Sequence, residues 1–256
     1  MHPALFFILM LTQKIAVHQL TSAEREALSQ QLYPLQDQLF TGVDYHTFRH
    51  YVVDSTAWRT WLYLQHSEQG ELIGYLALHT FRRVIGGKRR QIFRMETGKL
   101  PAYRGKDLTI LRAMGRMLLH SLSGLRYESF FFACMVYPSS YALAAKYAPR
   151  VWPAYTHPTP DDKAALLDEL AESFQLPPVA AGQPLVRQVG WITRESSQRM
   201  LWNPAVNRHA VYFTQLNPTF GQGHGLLTLV PASVGHICQA VVRFLLGRGK
   251  RLLRTH

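Results

Sequence analysis

The sequence is poor in acidic residues and in cysteine. Sixteen Asp and Glu stand against 28 Lys and Arg, which gives the 256-residue chain a formal net charge of +12. The two cysteines, Cys134 and Cys238, form no CxxC pair, so neither a disulfide framework nor a structural zinc site is indicated. The positive charge favours an acidic partner such as nucleic acid, anionic lipid, a phosphorylated cofactor or an acidic protein, with general solubility as the alternative.

The sequence also lacks a long hydrophobic run at its start. Residues 4–12 (ALFFILMLT) are apolar, but nine residues are too few to span a bilayer. No basic stretch precedes them and no small-residue cleavage site follows, as a signal peptide would require. We expect a buried first strand or a packing segment here, and a cytoplasmic protein, with a signal peptide as the alternative.

Hydrophobic periodicity predicts an ordered series of elements in the first 150 residues. Thr21 and Glu24 have the spacing of a capping box and predict a helix start. Gly-containing turns separate the strand-like runs after residue 59. The predicted elements are a strand (14–20), helices (21–40 and 44–54), three strands (60–66, 71–84 and 90–100), a helix (108–122), a buried strand (126–136) and a helix (141–148).

The character of the chain changes near Trp152, and we divide it into domains 1–155 and 156–256. The second part predicts an acidic helix (159–174), strands (185–192, 209–216 and 226–230) and a basic amphipathic helix (233–256). Three accounts of this extension stay open. It is a lid over a binding site, a half that completes the sheet and core, or a duplicated half-domain.

A basic turn within residues 99–114 (KLPAYRGKDLTILRAM) leads straight into a predicted helix. Backbone N–H groups at a helix start favour an anion. The turn therefore holds a phosphate or is a purely structural corner between strand and helix.

The order of elements over residues 14–152, together with this turn, resembles the GCN5-related N-acyltransferase (GNAT) fold. The resemblance implies an α/β (α+β) fold with a mixed central sheet flanked by helices, here with a C-terminal extension of strands and a basic helix. It also implies that the turn binds the donor's phosphates. Arg104 matches the first position of the family's Arg/Gln-x-x-Gly-x-Gly/Ala pattern, whereas Asp107 and Thr109 replace its two small residues. The donor-binding residues so implied are Arg104, Gly105, Lys106, Asp107, Leu108 and Thr109.

The resemblance further suggests two catalytic residues. Tyr147 stands where the family often has a Tyr that protonates the leaving thiolate, and Ser140 stands near its Asn position. A phenol with a pKa near 10 suits that task. Packing against an Ala-rich helix is the structural alternative for Tyr147, and Tyr141 is its rival. Glu96, inside an apolar strand, is the candidate base, with His79 as the alternative; Glu96 also has Arg94 and Lys99 as ion-pair candidates.

We therefore expect an acyltransferase that moves an acyl group from a thioester donor to a small-molecule amine. The donor is an acyl-CoA or the acyl-phosphopantetheine of an acyl carrier protein, and the N-acyl amino acid synthase-like type is the subtype considered. No metal is expected, because His46 and His50 lack an evident third ligand. The basic tail suits an anionic membrane surface, so a cytoplasmic protein peripheral to the membrane is included. Nucleic acid is not expected. A non-catalytic GNAT-like binding module and a membrane-associated interaction protein are the alternative functions.

Overall fold

The computed structural model of the chain describes residues 11–104, 108–180, 182–194 and 207–254, with side chains up to residue 248. The strands are β1 (Leu11–Ala16), β2 (Phe40–Thr41), β3 (Arg59–His66), β4 (Leu72–Ile85), β5 (Lys88–Lys99), β6 (Glu128–Met135), β7 (Val186–Gln188), β8 (Ile192–Thr193) and β9 (His224–Pro231). The helices are α1 (Ser22–Leu39), α2 (Tyr45–Val52), α3 (Thr109–Ser123), α4 (Pro138–Tyr147), α5 (Asp161–Ser173), α6 (Arg208–Leu216) and α7 (Val234–Arg254).

The main sheet has seven strands in the order β1-β3-β4-β5-β6-β9-β7. Every neighbouring pair is antiparallel except β5 and β6, which run parallel. Strands β2 and β8 form a separate two-stranded sheet. The predicted fold class is confirmed: it is α/β (α+β), with a mixed, mostly antiparallel sheet flanked by helices.

Local capping explains where the first helices begin. The Thr21 hydroxyl accepts the Glu24 backbone N–H at 3.3 Å, and the Glu24 carboxylate accepts the Thr21 N–H at 2.7 Å. Asp44 caps α2 by accepting the Thr47 N–H at 2.7 Å. These side chains satisfy donors that have no partner within the helix, and the predicted capping box is confirmed.

Helices cover both faces of the sheet. On one face, α1, α2 and α5 pack on the apolar side chains of the strands; Leu166 and Leu170 of α5 lie in a cluster with Phe132 and Leu229. On the other face, α3 and α7 pack together over β4 and β5, with Met117 beside Ile237 in the same buried cluster. Because both faces are covered, the central strands are apolar on both sides.

The extension is part of the same sheet. Strand β9 pairs with β6 from Phe130↔Pro231 to Met135↔Leu226, and β7 pairs with β9. This matches the account in which the second half completes the sheet and core. The division into domains at residue 155 stays a prediction.

Two predicted strands differ in the structure. Residues 209–216 form helix α6, because Asn207 caps it at the Ala210 N–H and the chain buries Ala210 and Phe213 at helical spacing. The predicted strand 185–192 is interrupted at Gly190, whose φ of +83° is left-handed, so it divides into β7 and β8. Of the apolar start, residues 4–10 lie outside the described residues, and Leu11 begins β1.

Among the described residues, none of the helices combines the length and hydropathy that crossing a bilayer requires.

Candidate active site

The parallel strands β5 and β6 part halfway along their length. Their ladder runs from Arg90↔Glu128 to Phe93↔Phe131 and then ends. Beyond that point β5 stays paired with β4, and β6 stays paired with β9. The inner edges of residues 94–99 and 132–135 therefore border an opening in the middle of the sheet.

Glu96 lies three residues past the last ladder pair, on this opened part of β5. Its Oε1 accepts a hydrogen bond from Arg94 Nη2 at 3.2 Å, and its side chain is 20% exposed. Burial raises the pKa of the Glu96 carboxyl, and the Arg94 guanidinium offsets part of that rise. The predicted ion pair of Glu96 with Arg94 is present.

Two arginines and an aromatic ring build one wall beside Glu96. Arg83 and Arg94 both lie over the Phe174 ring, each with its guanidinium carbon 4.6 Å from the ring centre. Arg83 Nη1 also donates to the Ser173 carbonyl at 2.9 Å and to its hydroxyl at 2.7 Å. The C-terminal end of α5 is thereby fixed against β4 and β5.

His79 lies across the strand pair from Arg94 and is buried. Its Nδ1 shares a hydrogen bond with the Thr60 hydroxyl at 3.0 Å, and its Nε2 has no hydrogen-bond partner among the described residues. Burial first, and repulsion from Arg94 second, lower the pKa of His79 to about 3, with a small opposing effect of the Tyr51 backbone. The imidazole is therefore neutral at physiological pH and a much weaker base than Glu96.

These side chains line a cavity of about 540 Å³ between α2, the two strands and the end of α5. Both candidate bases, Glu96 and His79, face it. The lining residues are His46, Thr47, His50, Tyr51, Ser55, Thr56, His79, Phe81, Arg83, Arg94, Glu96, Ser173, Phe174 and Gln175. Among the described residues, no group of three His, Cys, Asp or Glu side chains is placed to hold a metal ion.

Cys134 lies on β6 on the other side of the opening. Burial raises the pKa of its thiol to about 12, although Arg94 and Arg187 act in the opposite direction. A thiol held in its protonated form is a poor nucleophile. The chain therefore offers no thiolate for covalent catalysis at this position.

The structure places Tyr147 away from this cavity. Its side chain is 8% exposed and packs edge-on against Phe244 of α7, with ring centres 5.1 Å apart. The ring also borders Gly247. The rival Tyr141 is buried and donates its hydroxyl to the Pro153 carbonyl at 2.7 Å. Glu96 and Tyr147 thus do not line one pocket, and the acid role of Tyr147 stays a prediction.

The predicted donor loop is described only at its two ends. Arg104 is exposed and its Nε donates to the Lys99 carbonyl at 3.2 Å. Leu108 is 44% exposed, and the buried Thr109 begins α3. The remaining predicted donor-binding residues, Gly105, Lys106 and Asp107, lie outside the described residues.

Comparisons with known proteins add solved structures at low similarity. No protein-family model matches the chain, and no curated protein matches it. A GCN5-related N-acetyltransferase from Kribbella flavida shares 10% identity over 86% of this chain and 97% of its own, with a TM-score of 0.33. Arabidopsis thaliana NAA60 in complex with acetyl-CoA shares 13% sequence identity over 48% of this chain and 76% of its own, with a TM-score of 0.31. A Trypanosoma brucei acetyltransferase shares 14% sequence identity over 59% of this chain and 98% of its own, with a TM-score of 0.33.

TM-scores below 0.5 give no ground for transferring an activity to this chain.

Part of the cavity was not foreseen from the sequence. Arg83, Ser173 and Phe174 come from β4 and the end of α5, which meet only in the folded chain. No local pattern marks them, since α5 reads as an ordinary amphipathic helix and its contact with β4 spans about 90 residues.

Proposed function

We propose that the protein is an N-acyltransferase that moves an acyl group from a thioester donor to a small-molecule amine. The observation that carries this proposal is the opening between the parallel strands, with a half-buried carboxylate directly beyond the last ladder pair. An opening of this kind gives a thioester access to the middle of the sheet. The cavity beside it offers the amine a polar, walled site.

Glu96 is the proposed base for the amine. The incoming ammonium loses a proton to the carboxylate, and its nitrogen forms a bond to the thioester carbon. The carbon–sulfur bond breaks and the thiolate takes a proton from the acid, which is restored by the second proton that the nitrogen loses as the amide forms. A carboxyl whose pKa is raised accepts that proton more readily than an ordinary one at neutral pH. His79 is the weaker choice, since a base of pKa about 3 is a poor proton acceptor.

Tyr147 is the proposed acid that returns a proton to the leaving thiolate. Its position against Phe244 and Gly247 on α7 means that the thiol must leave on the α7 side of the opening. A Tyr147→Phe enzyme that keeps its full rate would remove this role and leave the rest of the proposal intact.

We also propose how the protein binds its donor and where it is located. Residues 104–109 would hold the phosphates of acyl-CoA or of an acyl carrier protein's phosphopantetheine, at the start of α3. The enzyme would be cytoplasmic and peripheral to the membrane. Its acceptor would be an amino acid, if the enzyme is of the N-acyl amino acid synthase type, or another small amine.

A non-catalytic binding module is the second candidate. The observation in its favour is the pair of side chains, Asp107 and Thr109, that replace the two small residues expected at the donor loop. A carboxylate beside a phosphate site weakens binding by repulsion. In that case the opening would hold a ligand but transfer nothing.

The test combines donor binding with turnover. Melting temperature is measured with acetyl-CoA, palmitoyl-CoA and acyl carrier protein, and release of free thiol is measured with a mixture of amines. A bound donor raises the melting temperature by mass action. We expect one donor to raise the melting temperature. The rise should be lost in Arg104→Ala and kept in Arg89→Ala, which alters an exposed arginine at the start of β5.

The two candidates separate in the same experiment. Glu96→Gln should keep the donor-induced rise and lose thiol release if the protein is an enzyme. A rise without thiol release in the unaltered protein supports the binding module. If no donor raises the melting temperature, the acyltransferase proposal is removed and the binding module, whose donor loop is weakened, is favoured.

A further inference from the structure

Helices α3 and α7, which lie side by side on one face of the sheet, carry positive charge only. Neither the 15 residues of α3 nor the 21 residues of α7 include an Asp or Glu, although the chain has 16. The turn from Gly124 to Tyr127 has none either. The cations on these segments are Arg112, Arg116, Arg126, Arg243, Arg248, Lys250, Arg251 and Arg254.

The same two helices expose apolar side chains. Seven of the twelve large apolar residues found exposed in the described chain lie on α3, on α7 or next to them: Leu108, Leu119, Leu122, Leu125, Val242, Leu245 and Leu246. Helical spacing turns Leu119 and Leu246 away from the buried Met117 and Ile237. These seven residues, together with Arg112, Arg116, Arg126 and Arg243 of the same segments, are called the α3–α7 face.

Arg116 of α3 and Arg82 of β4 stack on tryptophan rings and have no carboxylate partner among the described residues. The Arg82 guanidinium lies 3.6 Å from the centre of the Trp58 ring, and that of Arg116 lies 4.0 Å from Trp61. Neither arginine belongs to an ion pair found among the described residues. An aromatic ring holds a guanidinium in place without cancelling its charge. Trp58 itself is 42% exposed.

We propose that the α3–α7 face docks the protein on an anionic lipid bilayer. Exposed leucines on two helices that contain cations and no Asp or Glu fit the boundary between headgroups and acyl chains, where apolar side chains insert and cations meet phosphates. Nucleic acid or an acidic protein surface would leave the leucines without an apolar partner. A second copy of the chain would bring two positive faces together, which like-charge repulsion opposes.

Docking in this orientation has a consequence for the donor. Leu108 belongs both to the α3–α7 face and to the proposed donor-binding residues, so the start of α3 would lie at the lipid surface. A long-chain acyl thioester that partitions into the bilayer is then the donor class favoured. This consequence alone rests on the proposed function; the docking does not.

Vesicle co-sedimentation tests the docking without any measurement of activity. The full chain is mixed with vesicles of phosphatidylcholine, with or without phosphatidylglycerol. We expect binding only to the anionic vesicles. Leu119→Asn with Leu246→Asn should lower the partition coefficient at least tenfold, and Arg112→Gln with Arg126→Gln should lower it about fivefold per charge.

Matched pairs elsewhere on the surface serve as controls. Leu11→Asn with Val84→Asn alters two exposed apolar residues on β1 and β4. Lys88→Gln with Arg89→Gln removes two exposed charges from the start of β5. Both control pairs should bind the vesicles as the unaltered protein does.

Three outcomes overturn the proposal. One is absence of binding to anionic vesicles. Another is an equal loss in the control pairs, which would mean that net charge or general hydrophobicity is responsible. The third is a concentration-dependent dimer, seen by analytical ultracentrifugation, that the leucine pair abolishes while vesicle binding is unaffected, because the face would then bind a second copy.

Discussion

At the scale of single residues, the Arg94–Glu96 pair sets the proton affinity of the candidate base. Burial pushes the pKa of Glu96 up and Arg94 pulls it down, with burial the larger effect. We therefore expect Arg94→Gln to raise the pKa further and to move the acidic limb of the pH profile of kcat/KM to higher pH. Glu96→Gln should lower kcat/KM by roughly 100-fold or more and abolish that limb.

A control separates this effect from damage to the cavity wall. Arg83→Gln also removes a guanidinium stacked on Phe174, yet Arg83 makes its hydrogen bonds to Ser173 and none to Glu96. It should leave the acidic limb where it is. An equal shift in both arginine variants would mean that long-range charge, and not the contact with Glu96, governs the pKa.

Two buried histidines make the fold sensitive to acid. Burial is the main cause that lowers the pKa of His79 to about 3 and that of His120 to about 4, against an ordinary 6.5. Below pH 6.5 these histidines bind protons in the unfolded chain but stay neutral in the folded chain. Acidification therefore favours unfolding until the pH reaches the folded-state pKa values. Between pH 6.5 and pH 5 we expect each of the two histidines to lower the free energy of unfolding by about 1–2 kcal/mol.

Urea denaturation at several pH values checks this dependence. His79→Gln and His120→Gln should each flatten the slope of stability against pH in this window, and the double variant should flatten it further. If the slope is the same in all four proteins, the buried histidines are not its source.

At the scale of elements, the contact between α4 and α7 depends on a glycine. A Cβ added at Gly247 would lie 2.7 Å from Tyr147 Cε1 and 3.0 Å from its hydroxyl oxygen. Tyr147 is buried against Phe244, so its ring cannot move aside freely. Gly247→Ala should therefore destabilise the protein by about 1–3 kcal/mol, despite the better helix propensity of Ala.

Gly235 supplies the matched control on the same helix. A Cβ there meets no atom within 4 Å, so Gly235→Ala should be neutral or stabilising by up to about 1 kcal/mol. Combining Gly247→Ala with Tyr147→Ala should recover most of the loss caused by the glycine substitution. Additive losses in thermal or urea denaturation would show that the two residues do not interact.

The elements that the sequence predicts well are those with local signals. The capping box at Thr21 and Glu24 and the Gly turns between β3, β4 and β5 are readable within a few residues. Residues 209–216 (HAVYFTQL) are wrongly predicted as a strand, because this segment contains the β-branched and aromatic residues that are enriched in strands. Packing against α4 decides between strand and helix, with Tyr141 beside Phe213.

The candidate site is predictable only in part, because some of its side chains come together through contacts between distant segments. Glu96 stands out as a lone acid in an apolar strand, and its pairing with Arg94 follows from a spacing of two residues on one face. The contribution of Phe174, and the placement of Tyr147 against α7 instead of the cavity, depend on how distant segments dock. Such contacts leave no local pattern in a single sequence.

At the scale of the whole molecule, the continuous sheet bears on whether the first 155 residues fold alone. Strand β6 is paired with β5 over only four residues and with β9 over six, so most of its backbone partners come from the extension. Its apolar side chain Phe132 is fully buried in a cluster that includes Leu227, Leu229 and α5. Removing the extension would expose this strand edge and this cluster.

We therefore expect a chain truncated after residue 155 to lack a cooperative unfolding transition and to aggregate. Circular dichroism during urea titration, compared with the full chain, is the measurement. The substitution Leu229→Ala in the full chain makes a graded companion, because it opens a cavity at the same interface and should cost about 2–5 kcal/mol while leaving a single transition. A truncated chain that unfolds cooperatively would instead support two separable domains, with β9 and β7 docking on a sheet that is already stable without them.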